Sequence, residues 1–322
     1  MTRPVPRDAT VRTRIAAAGS VMSIRQVNNV LPDNKAGIGV GRALIAAVMA
    51  VGGPVLPGTR VTRIRSGAAR GELVRAAGVA SGPRVMYYIH GSGYVVCSAR
   101  THRGLASRLS KVTGLPVFVL EYRLAPEHRF PAAADDVAAG YQWLLDQGHQ
   151  AGDIVVGGDS AGCHLTLDLL LQNYRAGTAQ PVGAFMFSPL MDLSLTMAER
   201  LDRQRPDPMA AAVTGRKLIG LYTEAEPAHS PRLKLSIPPN AVLPPLFIQA
   251  SAEEMLSDDA RHLAQMAAAA ATPCLLQLWP GRIHVFQALP LLIPEAASAL
   301  RHVANFVADA FSAADFPAAE AS

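Results

Sequence analysis

Two kinds of hydrophobic pattern alternate along the chain from about residue 84 onward. Two segments, 99–112 and 132–145, place apolar residues at helical spacing. Before them, segments 59–65 and 71–76 are predicted to form an antiparallel edge pair. Short β-branched and aromatic runs without polar alternation, typical of strands covered on both faces, lie at 84–90, 116–122, 153–158, 182–188, 245–250 and 274–279. The alternation predicts an α/β fold with a mostly parallel central sheet flanked by helices.

Two regions do not follow this alternation. Residues 1–58 precede it, and residues 190–240 are rich in proline, charge and short helical pieces, unlike a simple crossover helix. We expect the two regions to pack together as a helical cap. The main domain then consists of residues 59–189 and 241–322.

A serine pentapeptide follows the strand predicted at 153–158. Gly158-Asp159-Ser160-Ala161-Gly162 runs directly into an apolar helical segment, so the order is strand, G-x-S-x-G, helix. A tight turn of this kind lifts the serine hydroxyl above the sheet edge, and the helix N-terminus offers N–H groups to a developing negative charge. Ser160 is therefore the predicted nucleophile, with the N–H of Ala161 as an oxyanion donor.

A glycine-rich loop follows the strand predicted at 84–90. It reads His90-Gly91-Ser92-Gly93-Tyr94. Small residues let backbone N–H groups approach a tetrahedral oxyanion, and one such donor is worth about 10²–10³ in rate. Ser92 and Gly93 are the expected donors. The alternative is a glycine turn with a capping histidine.

Three motifs in this order resemble the hormone-sensitive-lipase-like family of bacterial carboxylesterases. The resemblance spans residues 84–290 and implies an α/β-hydrolase fold with a helical cap, no cofactor and hydrolysis of carboxylic esters, often short-chain ones. In this reading His90, Gly91, Gly158, Asp159 and Gly162 support the motifs. The motifs are 90–94, Tyr122-Arg123-Leu124-Ala125-Pro126-Glu127-His128 with Phe130-Pro131-Ala132-Ala133, and 158–162.

The chain departs from the family pattern at three small-residue positions. Ser92 replaces the middle glycine of the loop, so a side chain crowds the expected acyl site. Cys97 and Cys163 stand where glycine is common, and we expect both to tighten packing without touching the chemistry. Arg123 and Glu127 are expected to make structural polar bonds.

A serine hydroxyl needs an imidazole to take its proton and a carboxylate to orient that imidazole. In this fold the chain order is Ser, acid, His. His284 follows the last predicted strand and resembles the family's catalytic-histidine loop. His164 lies one turn into the helix after the serine, and His302 is interpreted as a surface or packed helix residue.

The acid is expected in the loop after the strand at 245–250. Asp258 and Asp259 are explained by a helix start with Ser257 as its N-cap. The family pattern selects Glu254, and Glu253 remains the alternative.

The net charge of +5 belongs to one end of the chain. Residues 1–70 contain eleven Lys and Arg against two Asp, a net charge of +9, so residues 71–322 carry −4. The main domain has no nucleic-acid motif. Basic residues before the apolar stretch 43–56 suggest peripheral contact with an anionic membrane; the alternative is a solvated cap face. They are Arg3, Arg7, Arg12, Arg14, Arg25, Lys35 and Arg42.

The remaining features set the cellular context. Half of the residues are apolar and 17% are charged, which excludes a disordered chain. No signal peptide or transmembrane helix is expected. The thiols of Cys97, Cys163 and Cys274 match no metal-ligand spacing and suggest free cysteines in the cytoplasm.

Together these features predict a serine carboxylesterase for short- to medium-chain esters, without cofactor or metal, and family members frequently dimerise. An amidase or acyltransferase with the same triad, and a ligand receptor without catalysis, remain alternatives.

Overall fold

The computed structural model describes residues 5–6, 8–22, 34–67, 69–209, 211–224 and 230–315. Arg3, Arg7 and Arg25 lie outside the described residues. One eight-stranded sheet has the order β1-β2-β4-β3-β5-β6-β7-β8. Its strands are β1 Arg60–Ser66, β2 Ala69–Arg75, β3 Val85–Ile89, β4 Val117–Leu120, β5 Ile154–Asp159, β6 Gly183–Phe187, β7 Leu246–Ser251 and β8 Cys274–Trp279.

The sheet confirms the predicted alternation. Strands β1 and β2 pair antiparallel, as do β2 and β4, while all pairings from β4 through β8 are parallel. Parallel strands need crossover connections, which the helices supply. The helices are α1 Val11–Met22, α2 Lys35–Gly52, α3 Arg103–Thr113, α4 Ala132–Asp146, α5 Ala161–Ala176, α6 Thr196–Gln204, α7 Ala212–Thr223, α8 Ser257–Ala269 and α9 Ala296–Asp315.

Two helix starts differ from the prediction. Helix α3 begins at Arg103 instead of residue 99, because Ser98 and Thr101 close a turn in which the Thr101 N–H and hydroxyl both bond to the Ser98 carbonyl. The assignment of Ser257 as an N-cap is wrong. Leu256 occupies the cap without a side-chain bond, and Ser257 is the first helical residue and is buried.

Strands β3 through β7 are buried on both faces of the sheet, whereas the edge strand β1 is mostly exposed. Successive strand residues point to opposite faces, so Tyr87 packs in one core with α4, α5 and α8, while Tyr88 packs in the other with α3 and α9. Both rings are completely buried. Burial of such a side chain stabilises the fold by about 1.5–3 kcal/mol. This explains why the strands lack polar alternation.

Helix α2 is apolar but attached to the main domain. Among the described residues it is the one helix long and apolar enough to cross a membrane, with a mean hydropathy of 1.5 over 18 residues. That evidence is weak because helices in protein cores pass the same test. The Arg42 guanidinium on this helix donates to the Val95 carbonyl at 2.9 Å, to the Ala125 carbonyl at 3.1 Å and to both oxygens of Glu127.

Candidate active site

The carboxyl ends of the parallel strands bring four loops to one edge of the sheet, where α/β proteins place their ligands. These loops follow β3, β5, β7 and β8. They carry the predicted oxyanion donors, the serine, the acid and the histidine.

Ser160 occupies the turn between β5 and α5 with φ 51° and ψ −120°, a conformation that L-residues rarely adopt. Strain of this kind costs about 1–3 kcal/mol and is typical of functional sites. The flanking glycines permit the turn: a Cβ at Gly162 would lie 2.1 Å from the Ile89 carbonyl oxygen, and one at Gly158 would lie 2.8 Å from the Gly162 carbonyl oxygen. The close approach of strand and helix therefore requires glycine at both positions.

The buried Asp159 side chain contacts two elements beside this turn. Its Oδ1 accepts hydrogen bonds from the Tyr88 hydroxyl at 2.8 Å and from His102 Nε2 at 3.2 Å. Burial alone would raise the pKa of Asp159, but His102 and Tyr88 hold it below the ordinary value. Gly91 lies close to both the backbone and the side chain of Asp159. A Cβ at Gly91 would lie 2.4 Å from the Asp159 carbonyl oxygen and 2.4 Å from its Oδ2. Asp159 thus ties the serine turn to the loop after β3.

His90 supports that loop from below. Its ring stacks on Tyr122 with ring centres 4.2 Å apart, and the Tyr122 hydroxyl donates to the His90 carbonyl at 2.9 Å. Burial, together with the neighbouring His102, lowers the pKa of His90 to about 3. His90 is therefore a neutral packing residue at physiological pH.

The structure brings Glu254 to His284. Glu254 Oε2 lies 2.7 Å from His284 Nδ1, and Oε1 accepts the Ser251 N–H at 3.0 Å. Glu253 instead accepts the Gly281 N–H. Neither of the other two histidines considered is near this pair: His164 Nε2 lies 3.0 Å from the Leu233 carbonyl oxygen, and His302 is buried in the core.

The Glu254 carboxylate changes the proton affinity of His284. Burial alone would lower the pKa of the imidazole, but the hydrogen bond and charge of Glu254 outweigh it, and the pKa lies above its ordinary value of 6.5. Because Nδ1 donates to the carboxylate, the neutral ring presents Nε2 as a proton acceptor.

Ser160 and His284 line one cavity of about 320 Å³ with Ser92 and Gly93. In the described part of the chain, the N–H groups of Ser92, Gly93 and Ala161 donate to no protein acceptor. No hydrogen bond joins Ser160 to His284 in these described ranges, and such bonds often tighten only around substrate. The other walls of the cavity are mainly aliphatic, from residues such as Ile38, Ile45, Met49, Leu195, Leu218 and Leu289.

The loop after β3 holds an additional contact. Ser92 Oγ lies 2.8 Å from Cys97 Sγ, and both side chains line the cavity. Cys163, by contrast, lies under the serine turn with Sγ 3.4 Å from the Phe187 carbonyl oxygen. The expectation that both cysteines act only through packing therefore fits Cys163 better than Cys97.

Two polar side chains near the loops of Glu254 and His284, those of Asp207 and Ser188, were not predicted from the sequence because their bonds depend on the tertiary structure. Asp207 is buried and accepts the Met209 N–H at 2.7 Å and the Met255 N–H at 2.8 Å, and its charge contributes to the raised pKa of His284. Ser188 Oγ accepts the Val285 N–H at 3.0 Å. The Asp207-Pro208 pair was the only local signal for Asp207, and no local signal pointed to Ser188.

Arg123 and Glu127 make the structural bonds that were predicted, but in different surroundings. Arg123 pairs with Asp136 at 2.7 Å and joins the loop after β4 to α4. Glu127 is half exposed and pairs with Arg42 of α2 at 2.8 Å.

In the described ranges no group of three or more His, Cys, Asp or Glu has an arrangement suited to a metal ion.

Comparison with known proteins gives matches over most of the chain. A family model described as alpha/beta hydrolase fold matches residues 86–288. An acetyl-hydrolase from Streptomyces hygroscopicus is 36% identical over 227 residues, 70% of this chain and 75% of that protein. The carboxylesterase/phospholipase LipF of Mycobacterium tuberculosis is 33% identical over 265 residues, 79% of this chain and 70% of LipF.

A solved structure extends the similarity to nearly the whole fold. The crystal structure of an esterase from the bacterial hormone-sensitive lipase family superposes with a TM-score of 0.85 at 28% identity. The match covers 94% of this chain and 100% of that one.

Proposed function

The chain belongs to the bacterial hormone-sensitive-lipase-like esterases of the alpha/beta-hydrolase fold, and we propose that it hydrolyses carboxylic esters through a Ser160–His284–Glu254 triad. The observation that carries the triad is the 2.7 Å contact of Glu254 with His284 in a cavity that both His284 and Ser160 line.

The reaction proceeds in two halves. Ser160 Oγ attacks the ester carbonyl carbon while His284 Nε2 takes the hydroxyl proton, and the negative charge on the carbonyl oxygen is stabilised by the N–H groups of Ser92, Gly93 and Ala161. Collapse of this intermediate breaks the bond to the alcohol, which receives the proton from His284 and leaves an acyl-enzyme. Water then gives one proton to His284 and attacks the acyl carbon. The bond between the acyl carbon and Ser160 Oγ breaks, Ser160 Oγ takes that proton back from His284, and the carboxylic acid leaves.

The cavity supports short- to medium-chain esters as substrates. Its volume of about 320 Å³ and aliphatic walls accommodate a small apolar acyl or alcohol group but provide few polar partners. We expect p-nitrophenyl esters of four to eight acyl carbons to be hydrolysed with a higher kcat/KM than those of fourteen or more. A chain-length series measures this preference.

Replacement of the serine tests the reaction itself. Ser160→Ala should abolish turnover of p-nitrophenyl butyrate and labelling by a fluorophosphonate, whereas Ser194→Ala, at an exposed serine, should leave both unchanged. Substantial residual turnover by pure Ser160→Ala protein would contradict the triad. A receptor would bind ligands without labelling, and faster hydrolysis of a matched amide would favour the amidase alternative.

We also propose that residues 1–58 and 190–240 form the cap of this site. Ile38 and Met49 of α2 line the cavity, as does Leu218 of α7. A Cβ at Gly93 would lie only 3.2 Å from Leu218 Cβ, so α7 lies directly over the oxyanion loop. Tyr222 of the same helix stacks on Tyr94 with ring centres 4.0 Å apart.

An anionic phospholipid surface is the partner we propose for the outside of this cap. Five large aliphatic side chains, on the cap segment 1–58 and on the adjoining loop before α9, are between 37% and 72% exposed: Val11, Ile15, Val51, Leu291 and Leu292. The segments are adjacent, because the Leu291 N–H donates to the Gly52 carbonyl at 2.9 Å and the Arg12 guanidinium donates to the Leu291 carbonyl. Leu289, two residues before Leu291, lines the cavity, so this surface borders the substrate site.

Charge supports the same partner. Arg12 and Arg14, at the start of α1 beside Val11 and Ile15, are exposed next to this surface. Each basic residue near an anionic membrane contributes about 1 kcal/mol, so two give a preference of about 30-fold for anionic over neutral vesicles. The phospholipase in the name of the relative LipF is consistent with a lipid surface.

Vesicle co-sedimentation tests this surface. Wild-type protein should bind phosphatidylglycerol vesicles more tightly than phosphatidylcholine vesicles, and Val51→Gln/Leu291→Gln should weaken binding at least fivefold. Val242→Gln is the control, because Val242 is 81% exposed in a different loop. Equal binding by wild type and the double variant would contradict the proposal. It would also be contradicted if wild type and Val242→Gln self-associate in sedimentation velocity and the double variant does not, because the surface would then be a protein interface. The same sedimentation-velocity measurement tests the predicted homodimer. The thiols of Cys97, Cys163 and Cys274 are free, which fits the predicted cytoplasmic location.

A further inference from the structure

The loop after β3 is built from residues in an unusual backbone conformation. Ser92, Gly93 and Tyr94 have φ values of 81°, 61° and 64°, and Cys97 has 67°. Residues other than glycine are strained in this left-handed region because their Cβ lies too close to the backbone. The chain nevertheless places a serine, a tyrosine and a cysteine at three of these four positions, so some other interaction must hold the loop in this shape.

The side chains of Ser92 and Cys97 contact each other. Ser92 Oγ lies 2.8 Å from Cys97 Sγ, across the turn in which the Ser92 carbonyl accepts the N–H groups of Val95 and Val96, both at 3.3 Å. The Cys97 side chain is buried, and burial raises the pKa of its thiol to about 12, so the group stays protonated at neutral pH. A neutral thiol and a hydroxyl can share a hydrogen bond in either direction.

The bond lies beside the reacting atoms. Ser92 and Cys97 both line the cavity that contains Ser160, and the Ser92 N–H donates to no protein acceptor in the described ranges. Rotation of the Ser92 peptide would turn that N–H away from the oxyanion. An oxyanion donor contributes only when it points at the developing charge, and losing one costs about 10²–10³ in kcat.

We propose that the Ser92–Cys97 side-chain bond is a latch that holds the Ser92 N–H toward the oxyanion, which makes Ser92 and Cys97 positioning residues for ester hydrolysis. This inference rests on the proposed function. Breaking this bond should lower kcat and leave KM unchanged, because the Ser92 N–H stabilises the transition state and not the bound ester.

A double-mutant cycle with alanine tests the latch. Alanine removes the side-chain bond but keeps a Cβ, so the left-handed positions stay as strained as before. Ser92→Ala and Cys97→Ala should each lower kcat for p-nitrophenyl butyrate about tenfold, with KM within twofold. The double variant should lose no more than either single variant, because both break the same bond. Cys97→Ser should retain at least one third of wild-type kcat, because its hydroxyl can replace the thiol.

The controls separate this inference from folding effects and from the proposed function. Cys274→Ala removes a half-buried thiol outside the cavity and should leave kcat unchanged. If an alanine variant folds poorly, Cys97→Ser carries the test, because it keeps a bonding side chain at the same strained position; Ser92→Gly and Cys97→Gly remove the strain together with the bond and should therefore keep more of the wild-type kcat than the alanine variants. Additive losses, a change in KM alone, or failure of Cys97→Ser to restore kcat would overturn the latch. If instead Ser160→Ala is as active as wild type, the proposed triad itself fails, and the latch fails with it.

Discussion

Replacement of Glu254 by glutamine removes one charge from the proposed triad with little change in shape. The structure fixes how the new amide must orient. The Ser251 N–H donates to Oε1 at 3.0 Å, so the glutamine oxygen has to face Ser251 and the NH₂ group has to face His284 Nδ1. The imidazole then carries its proton on Nε2, which can no longer accept the proton of Ser160.

The expected loss follows from this change of tautomer and from the missing charge. Amide replacement of a triad acid lowers kcat about 10⁴-fold in a serine hydrolase, which corresponds to about 5.5 kcal/mol at 1.36 kcal/mol per tenfold. Loss of a hydrogen bond to a charged group accounts for about 1.5–3 kcal/mol of that. Glu254→Gln should therefore lower kcat between 10³- and 10⁴-fold.

Glu253→Gln is the matched control. Glu253 accepts the Gly281 N–H, a role that a glutamine oxygen can also fill, so its kcat should stay within threefold of wild type. Initial rates on p-nitrophenyl butyrate at pH 8 measure both variants, and circular dichroism checks that both are folded. If Glu254→Gln keeps more than a tenth of wild-type kcat, or if Glu253→Gln loses as much as it does, the assignment of the acid is refuted.

Three further outcomes follow from the buried ionisable groups. Because Glu254 raises the pKa of His284 above 6.5 against the opposing effect of burial, kcat/KM should rise with pH to a midpoint above 6.5, and Glu254→Gln should move that midpoint down in a pH–rate profile. Asp207→Asn should move it in the same direction by a smaller amount, since Asp207 adds to the same rise; the profile of the exposed-site variant Asp146→Asn is the control. Burial raises the pKa of Asp259 from 3.8 to about 7, so the folded protein holds this proton more tightly than the unfolded chain, and stability from this group is lost as pH rises from 3.8 through 7. Asp259→Asn should flatten that decline in urea unfolding between pH 5 and pH 8; an unchanged slope would contradict the assignment.

Local patterns were sufficient for the sheet and the serine turn. All eight strands lie within two residues of the predicted boundaries. For β3 through β7 the reason is burial on both faces, which leaves continuous apolar runs that have no alternative use in a folded chain. The turn at Ser160 was recognisable for a related reason: its glycines are required by contacts between neighbouring elements, so the constraint is written into five consecutive residues.

Long-range contacts decided the remaining features. The family pattern favoured Glu254 but left Glu253 open, and only the folding of the loop after β7 against the loop after β8 shows that Glu254 contacts His284 and Glu253 contacts Gly281. Asp207 contacts the loop after β7 from the segment between α6 and α7, 48 positions before its partner Met255. The bond between Ser92 and Cys97 depends on backbone angles that no hydrophobic pattern reports.

The sequence by itself determined the fold class and the esterase family, and it predicted Ser160 as the nucleophile, because each depends on short segments whose residue types are constrained where they stand. Only the tertiary structure shows which carboxylate contacts His284, how α2 and α7 line the cavity, and where Arg12 and Arg14 lie relative to the exposed aliphatic side chains. These are relations between segments distant in the chain, and their energies arise only when folding brings the segments together.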